Sequence, residues 1–148
     1  MGSRYIWGDG MSVNCKVDFD FEPEILEEAS INSIKRVYDK KELSLVQVLD
    51  ERNRIQKCLF YENGKRLSTA CIYNANTGKE VKNITYRADG KNISSVREFD
   101  YETGRLLNVS FYKEDGKSLS SVIEYNEAGN EVLFSLYGDD GEVTTTKI

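Results

Sequence analysis

The chain has 148 residues, enough for one compact domain and marginal for two. Apolar residues make up 39% and charged residues 30%, but nine Tyr, six Phe and many β-branched residues supply enough area to bury, which excludes a disordered chain and suits a thin fold. A net charge of −5 without any basic run argues against a nucleic-acid face.

Residues 1–14, with Trp7, show no periodicity and read as a flexible N-terminal segment ahead of one β-repeat domain over 15–148. Val17, Phe19 and Phe21 alternate with Asp18, Asp20 and Glu22, the pattern of a half-buried strand. Pro23 followed by 24–30 suits one short helix with proline at its first position. Three strands are then expected at 31–38, 43–49 and 55–61. Their turns, Asp39-Lys-Lys-Glu42 and Asp50-Glu-Arg-Asn53, contain no glycine.

From about residue 59 to 142 the chain repeats itself. Tyr61-Glu-Asn-Gly64-Lys65 returns as Tyr86-Arg-Ala-Asp-Gly90-Lys91, Tyr112-Lys-Glu-Asp-Gly116-Lys117 and Tyr137-Gly-Asp-Asp-Gly141-Glu142. A second series interleaves with it: Tyr73 to Gly78-Lys79, Phe99 to Gly104-Arg105 and Tyr125 to Gly129-Asn130. The long period is about 26 residues and the half period about 13. Each half period is one strand and one reversal, with Gly64, Gly78, Gly90, Gly104, Gly116, Gly129 and Gly141 as structural turn residues that supply positive φ. A glycine in every half period excludes a long helix.

The strands alternate imperfectly. Leu107, Val109 and Phe111 read as one face, and Leu119, Ser121, Ile123 and Tyr125 as another, while Leu106, Val122 and Leu133 interrupt the polar side. The expected fold is therefore all-β: an antiparallel meander of eight to ten strands, twisted or curled, with at most one short N-terminal helix.

The motifs Tyr73-Asn-Ala-Asn-Thr-Gly78-Lys79 and Tyr86-Arg-Ala-Asp-Gly90-Lys91-Asn-Ile-Ser-Ser95 resemble the tandem repeats of an uncharacterised bacterial family abundant in phytoplasmas. More loosely they resemble the Tyr-x-x-x-Gly-Lys hairpins of MORN-like repeats. The resemblance covers about residues 59–142 and implies no catalytic or cofactor residue.

The chemistry available is narrow. With no histidine, the commonest general base, nucleophile partner and metal ligand are all missing. Cys15, Cys58 and Cys71 are an odd set without Cys-x-x-Cys spacing, which argues against a disulfide framework and against zinc. Cys58 and Cys71 fall in apolar strands and read as small buried hydrophobes. All three are expected to remain thiols, Cys15 the most reactive. Asp139-Asp140-Gly141-Glu142 lacks the ligand spacing of a calcium loop and reads as turn chemistry. Lys65, Lys79, Lys91, Arg105 and Lys117, just after the turns, read as solvated charges that discourage edge pairing.

These readings lead to a non-enzymatic protein-interaction module without cofactor, metal, nucleic-acid or membrane partner, located in the cytoplasm. Val143 and Thr145 on the last strand are the expected partner-binding residues, since a meander leaves an edge there that a partner or a second copy could join. The alternative is that the segment around Val17 to Phe21 covers that edge and closes the sheet. Two other functional classes compete. One is an acidic inhibitor of a nucleic-acid enzyme, built on Glu22, Glu24, Glu27, Glu28, Asp139, Asp140 and Glu142. The other is a hydrolase using Asp18, Asp20 or Glu22.

Overall fold

The computed structural model describes residues 33–148. Within them the chain forms ten strands: β1 (Ser33–Asp39), β2 (Glu42–Leu49), β3 (Ile55–Glu62), β4 (Arg66–Tyr73), β5 (Glu80–Tyr86), β6 (Ile93–Phe99), β7 (Leu106–Tyr112), β8 (Leu119–Tyr125), β9 (Glu131–Tyr137) and β10 (Val143–Lys147). Every strand pairs antiparallel with the next, in the order β1 to β10, and among the described residues the sheet does not close. The strand expected around Val17 to Phe21 and the helix expected at 24–30 lie outside the described residues.

Each hairpin from β3 to β9 carries a register shift immediately before the aromatic residue that ends its first strand or, in β3, stands one short of the end. The shifts fall at Phe60/Tyr61, Ile72/Tyr73, Thr85/Tyr86, Glu98/Phe99, Phe111/Tyr112 and Glu124/Tyr125. One extra residue of the following strand is unmatched at each shift, which is a β-bulge. These bulges account for much of the imperfect alternation, while Val122 lies in a regular stretch of ladder, paired with Ser110 and Ser135. Glu98 pairs with Asn108 and Phe99 with Leu106, so Leu107 is the extra residue and does not simply continue the row of Val109 and Phe111. Likewise Tyr112 pairs with Leu119 and Phe111 with Ser121, so Ser120 is extra and Leu119 changes sides relative to Ser121 and Ile123.

Register and alternation give the sheet two distinct faces. One face carries the cluster Ile34, Val46, Leu59, Leu67, Ala70, Ile84 and Val96, all buried. Tyr61, Tyr86, Tyr112 and Ile93 pack against it. The aromatic series Tyr61, Tyr86, Tyr112 and Tyr137 thus lies on the core face, beside one row of turns. The interleaved series Tyr73, Phe99 and Tyr125 falls on the opposite face, beside the other row of turns. Reversal of each successive strand puts this series at the other end of the sheet, and the bulge residue puts it on the other face: Leu67 and Tyr73, six residues apart, would share a face if Ser68 were not extra.

The seven repeat-turn glycines have φ between 70° and 88°. The glycine-free turn between β1 and β2 reaches the same region with lysines: Lys40 has φ 53° and Lys41 φ 71°. In the next turn Asn53 takes φ 63°.

At five steps along the sheet, side chains tie a turn to the next turn on the same end. Arg66 donates to the Ala88 carbonyl (3.2 Å), Arg87 to the Tyr112 carbonyl (2.6 Å) and Lys113 to Asp139 (2.9 Å). At the other end Arg54 donates to Asn76 Oδ1 (2.8 Å), Asn74 to the Tyr101 carbonyl (2.9 Å) and Lys79 to the Thr103 carbonyl (3.3 Å). Lys79 is exposed, but it is not the purely solvated charge its position after a turn suggested.

Candidate functional site: the C-terminal edge

Burial fades along the sheet. β2 to β4 contain fully buried side chains such as Val46, Leu59 and Leu67, whereas every residue of β10 is exposed. Among the described residues β10 pairs only with β9, in the register Val143↔Tyr137 through Lys147↔Leu133.

The backbone of β10 has a defined polarity. Gly138 donates to the Glu142 carbonyl at 2.8 Å, and Ile148 donates to the Val132 carbonyl at 3.0 Å. Hydrogen-bonded and non-hydrogen-bonded pairs alternate in an antiparallel ladder. Glu142, Thr144, Thr146 and Ile148 therefore direct their backbone groups at β9. Val143, Thr145 and Lys147 direct their N–H and C=O groups at the open edge. The two residues singled out from the sequence, Val143 and Thr145, are thus two of the three whose backbone faces outward. Val143 is 51% exposed. The Thr145 hydroxyl is engaged within the sheet, 3.0 Å from Ser135 Oγ, so this residue offers its backbone more than its side chain.

The sequence reading missed the apolar surface beside this edge. Two cross-strand rows run up to β10 on the face opposite the core. One row is Phe111, Ser121, Leu136 and Thr144, and the other is Val109, Ile123, Phe134 and Thr146. Phe111 is 39% exposed and Leu136 50%. A shallow groove of about 580 Å³ lies where Leu136 and Thr144 meet the last turn, at Tyr137, Gly138, Asp139, Asp140 and Glu142. The available signal was the run from Val132 to Tyr137, apolar except for Ser135, which no single-faced strand requires.

Four aspartates of the repeat turns are occupied with the turns themselves. Asp89 Oδ1 accepts from the backbone N–H groups of Lys91 and Asn92, and Asp100 Oδ1 from those of Glu102 and Thr103. Asp115 accepts from the N–H groups of Lys117 and Ser118 and from the Ser118 hydroxyl at 2.6 Å. Asp140 accepts from the Glu142 N–H. Donation to the charged form holds Asp89, Asp100 and Asp115 below the usual carboxylate range. Asp115 is lowered to about 2, chiefly by the Ser118 hydroxyl. Among the described residues no group of three or more Cys, Asp or Glu could hold a metal ion, and no helix is long and apolar enough to cross a membrane. Asp18, Asp20, Glu22, Glu24, Glu27, Glu28 and Cys15 lie outside the described residues.

The fold of the described residues and its repeat define a class: a single-sheet antiparallel β-meander assembled from tandem hairpins. A profile of the DUF2963 family, described as a protein of unknown function, matches residues 60–110 and 93–135. The chain belongs to that family. No curated protein matches the sequence. Similar folds occur in solved structures of low sequence identity. One is a GtfA/B complex bound to UDP and GlcNAc, with a TM-score of 0.54 and 11% identity over 99% of this chain and 26% of that one. Another is a variant of S. aureus TarM in complex with Fondaparinux, alpha-GlcNAc-glycerol and UDP, with a TM-score of 0.52 and 11% identity over 84% of this chain and 23% of that one. The chain therefore spans about a quarter of the length of these structures, and the likeness concerns the fold alone.

Proposed function

We propose that the domain is a non-enzymatic protein-interaction module that receives an extended segment of a partner protein along β10. The observation that carries this reading is the outward backbone of Val143, Thr145 and Lys147, on a fully exposed edge strand beside the apolar rows ending at Thr144 and Thr146. An added strand gains main-chain hydrogen bonds from the edge and specificity from alternate side chains. Its residues on the side of Leu136 and Phe134 would extend two apolar rows, so the partner segment is apolar at alternate positions. The edge has little defence of its own. It is β-prone, lacks proline and carries Lys147 near its end. The use of Asp89, Asp100, Asp115 and Asp140 as turn acceptors weighs against the rival reading of an acidic nucleic-acid mimic, since those carboxylates are spaced by the turns.

Thr145→Pro tests the proposal, because it deletes an outward donor and leaves the inward ladder bonds in place. Proteins from the source cells that bind the native chain directly are expected to lose binding to this variant while its β-sheet circular dichroism is unchanged. A partner held equally by both proteins would move the site away from the edge. Retention only of a second copy of the chain, lost with Thr145→Pro, would make the edge a self-association site and overturn the heterotypic reading.

A further inference from the structure

Cys58 and Cys71 are partners in the β3–β4 ladder, directly opposite one another on the face away from the core. Both are buried, at 5% and 6% exposure, and both are free thiols. Their surroundings are not the purely apolar ones their strands suggested. Asn83 Nδ2 donates to Cys71 Sγ at 3.4 Å and to Glu80 Oε2 at 2.9 Å. Gln47 Nε2 lies 4.0 Å from Cys58 Sγ, and the Tyr73 hydroxyl and the Glu80 carboxylate also reach the pair.

We propose that Cys58 and Cys71 form a reversible intrachain disulfide, a redox-closed staple across β3 and β4. Register supplies the geometry. Directly opposed Cα atoms stand about 4.5 Å or about 5.5 Å apart, according to the type of pair. A disulfide spans Cα separations of about 4.4–6.8 Å, so either type satisfies it. Opposed Cβ atoms sit about 4.5–5.5 Å apart. A disulfide holds them at about 3.5–4.5 Å, so the strands close by about 1 Å when the bond forms. That strain makes the bond easy to reduce, which is the property of a labile rather than a structural disulfide.

The oxidant is a peroxide. One sulfur, as thiolate, attacks the peroxide oxygen, the O–O bond breaks and a sulfenic acid forms with release of water. The second sulfur displaces the hydroxyl, which leaves as a second water. The Sγ–Sγ bond replaces two S–H bonds, and the two electrons lost by sulfur reduce one hydrogen peroxide to two waters. Burial raises the pKa of both thiols, Cys71 to about 12, so attack requires transient opening of the hairpin and the reduced pair survives brief exposure.

The test uses the full chain with Cys15→Ser, which leaves Cys58 and Cys71 as its two thiols, beside the native chain. Both are treated with hydrogen peroxide, denatured, titrated for thiols and digested with trypsin without reductant. Lys65 and Arg66 lie between the two cysteines, so cleavage separates them unless a disulfide holds the fragments together. The expected result is loss of both thiols in the Cys15→Ser chain, a linked Cys58–Cys71 peptide pair in both proteins, a monomer on non-reducing electrophoresis and full recovery of thiols with dithiothreitol. Cys58→Ser should abolish the linked pair. Persistence of both thiols, sulfinic acid at either cysteine, or a disulfide between molecules or to Cys15 in place of the internal one would overturn the proposal.

Discussion

A Cβ placed on Gly116 would lie 2.8 Å from Cβ and 2.9 Å from Cα of Asn92, one repeat earlier in the chain. The turn glycine is therefore required twice, once by its own φ of 70° and once by the neighbouring turn that packs over it. Gly129 has φ 88° and nothing within 4 Å, so only the first requirement applies. Gly116→Ala should destabilise the domain by about 3 kcal/mol and Gly129→Ala by about 1 kcal/mol. Urea midpoints separate the two contributions. Equal losses would mean that turn-on-turn packing adds nothing to the backbone requirement.

The same stacking of turns is fastened by side chains. Arg87→Met removes the donor to the Tyr112 carbonyl while keeping the aliphatic stem, and should cost about 1–2 kcal/mol. Lys91→Met, four residues on and exposed, should stay within about 0.5 kcal/mol of the native protein. Chemical denaturation of the pair distinguishes a fastening role from a general effect of removing positive charge. If both variants lose the same stability, the Arg87 contact is incidental.

Much of the sheet was legible in the sequence because the repeat forces local and global signals to agree. The rhythm from Tyr61 to Gly141 marked the turns, and the upstream extension of the strand-and-turn pattern located β1 to β3 within one or two residues. The turn at Lys40 and Lys41 was weaker in sequence because lysine is not a left-handed residue by preference, and only the two strands that converge on it impose that backbone. The bulges were invisible as such. Leu106-Leu107 and Val132-Leu133 read as breaks in alternation, when each pair contains one residue that the ladder skips. At the candidate edge, Val143 and Thr145 were legible from strand order. The apolar rows through Phe111 and Leu136 were not, because they depend on which residues the bulges turn to which face.

The lysine turn offers a stability gain. Lys41→Gly relieves a left-handed residue at φ 71° and should stabilise the domain by about 0.5–1 kcal/mol, the strain removed outweighing the added freedom of the unfolded chain. A rise in thermal midpoint is the expected readout, and a fall would show that the Lys41 side chain contributes more than its backbone costs.

Acid should loosen the turns. Asp50, Asp89, Asp100 and Asp115 all have folded-state pKa values below the ordinary 3.8, because backbone N–H groups and, for Asp115, first the Ser118 hydroxyl donate to the charged form. A depressed folded pKa contributes stability that is fully present above the unfolded value and is lost as pH falls through the folded one. The decline should therefore run from about pH 4 down to about pH 2, the value for Asp115. Asp115→Asn should flatten part of it, since an amide oxygen still accepts backbone N–H groups, as Asn126 does from Ala128 and Asn130. Urea midpoints that do not change between pH 5 and pH 2 would contradict this account.

The alternating backbone of β10 makes the most specific prediction. In a dilute monomer the amides of Thr144, Thr146 and Ile148 point at β9 and should exchange slowly, whereas those of Val143, Thr145 and Lys147 point outward and should exchange at rates close to those of the turns. Binding of an added strand should protect the second set and leave the first nearly unchanged. Proline substitution reads the same polarity through stability. Thr146→Pro deletes an inward donor and should cost at least about 1 kcal/mol, while Thr145→Pro deletes an outward one and should cost less than half as much. Site-resolved hydrogen exchange checks both the register and the function. Slow exchange at Val143, Thr145 and Lys147 in the monomer would mean that the edge is already occupied, and recognition through β10 would then have to be abandoned.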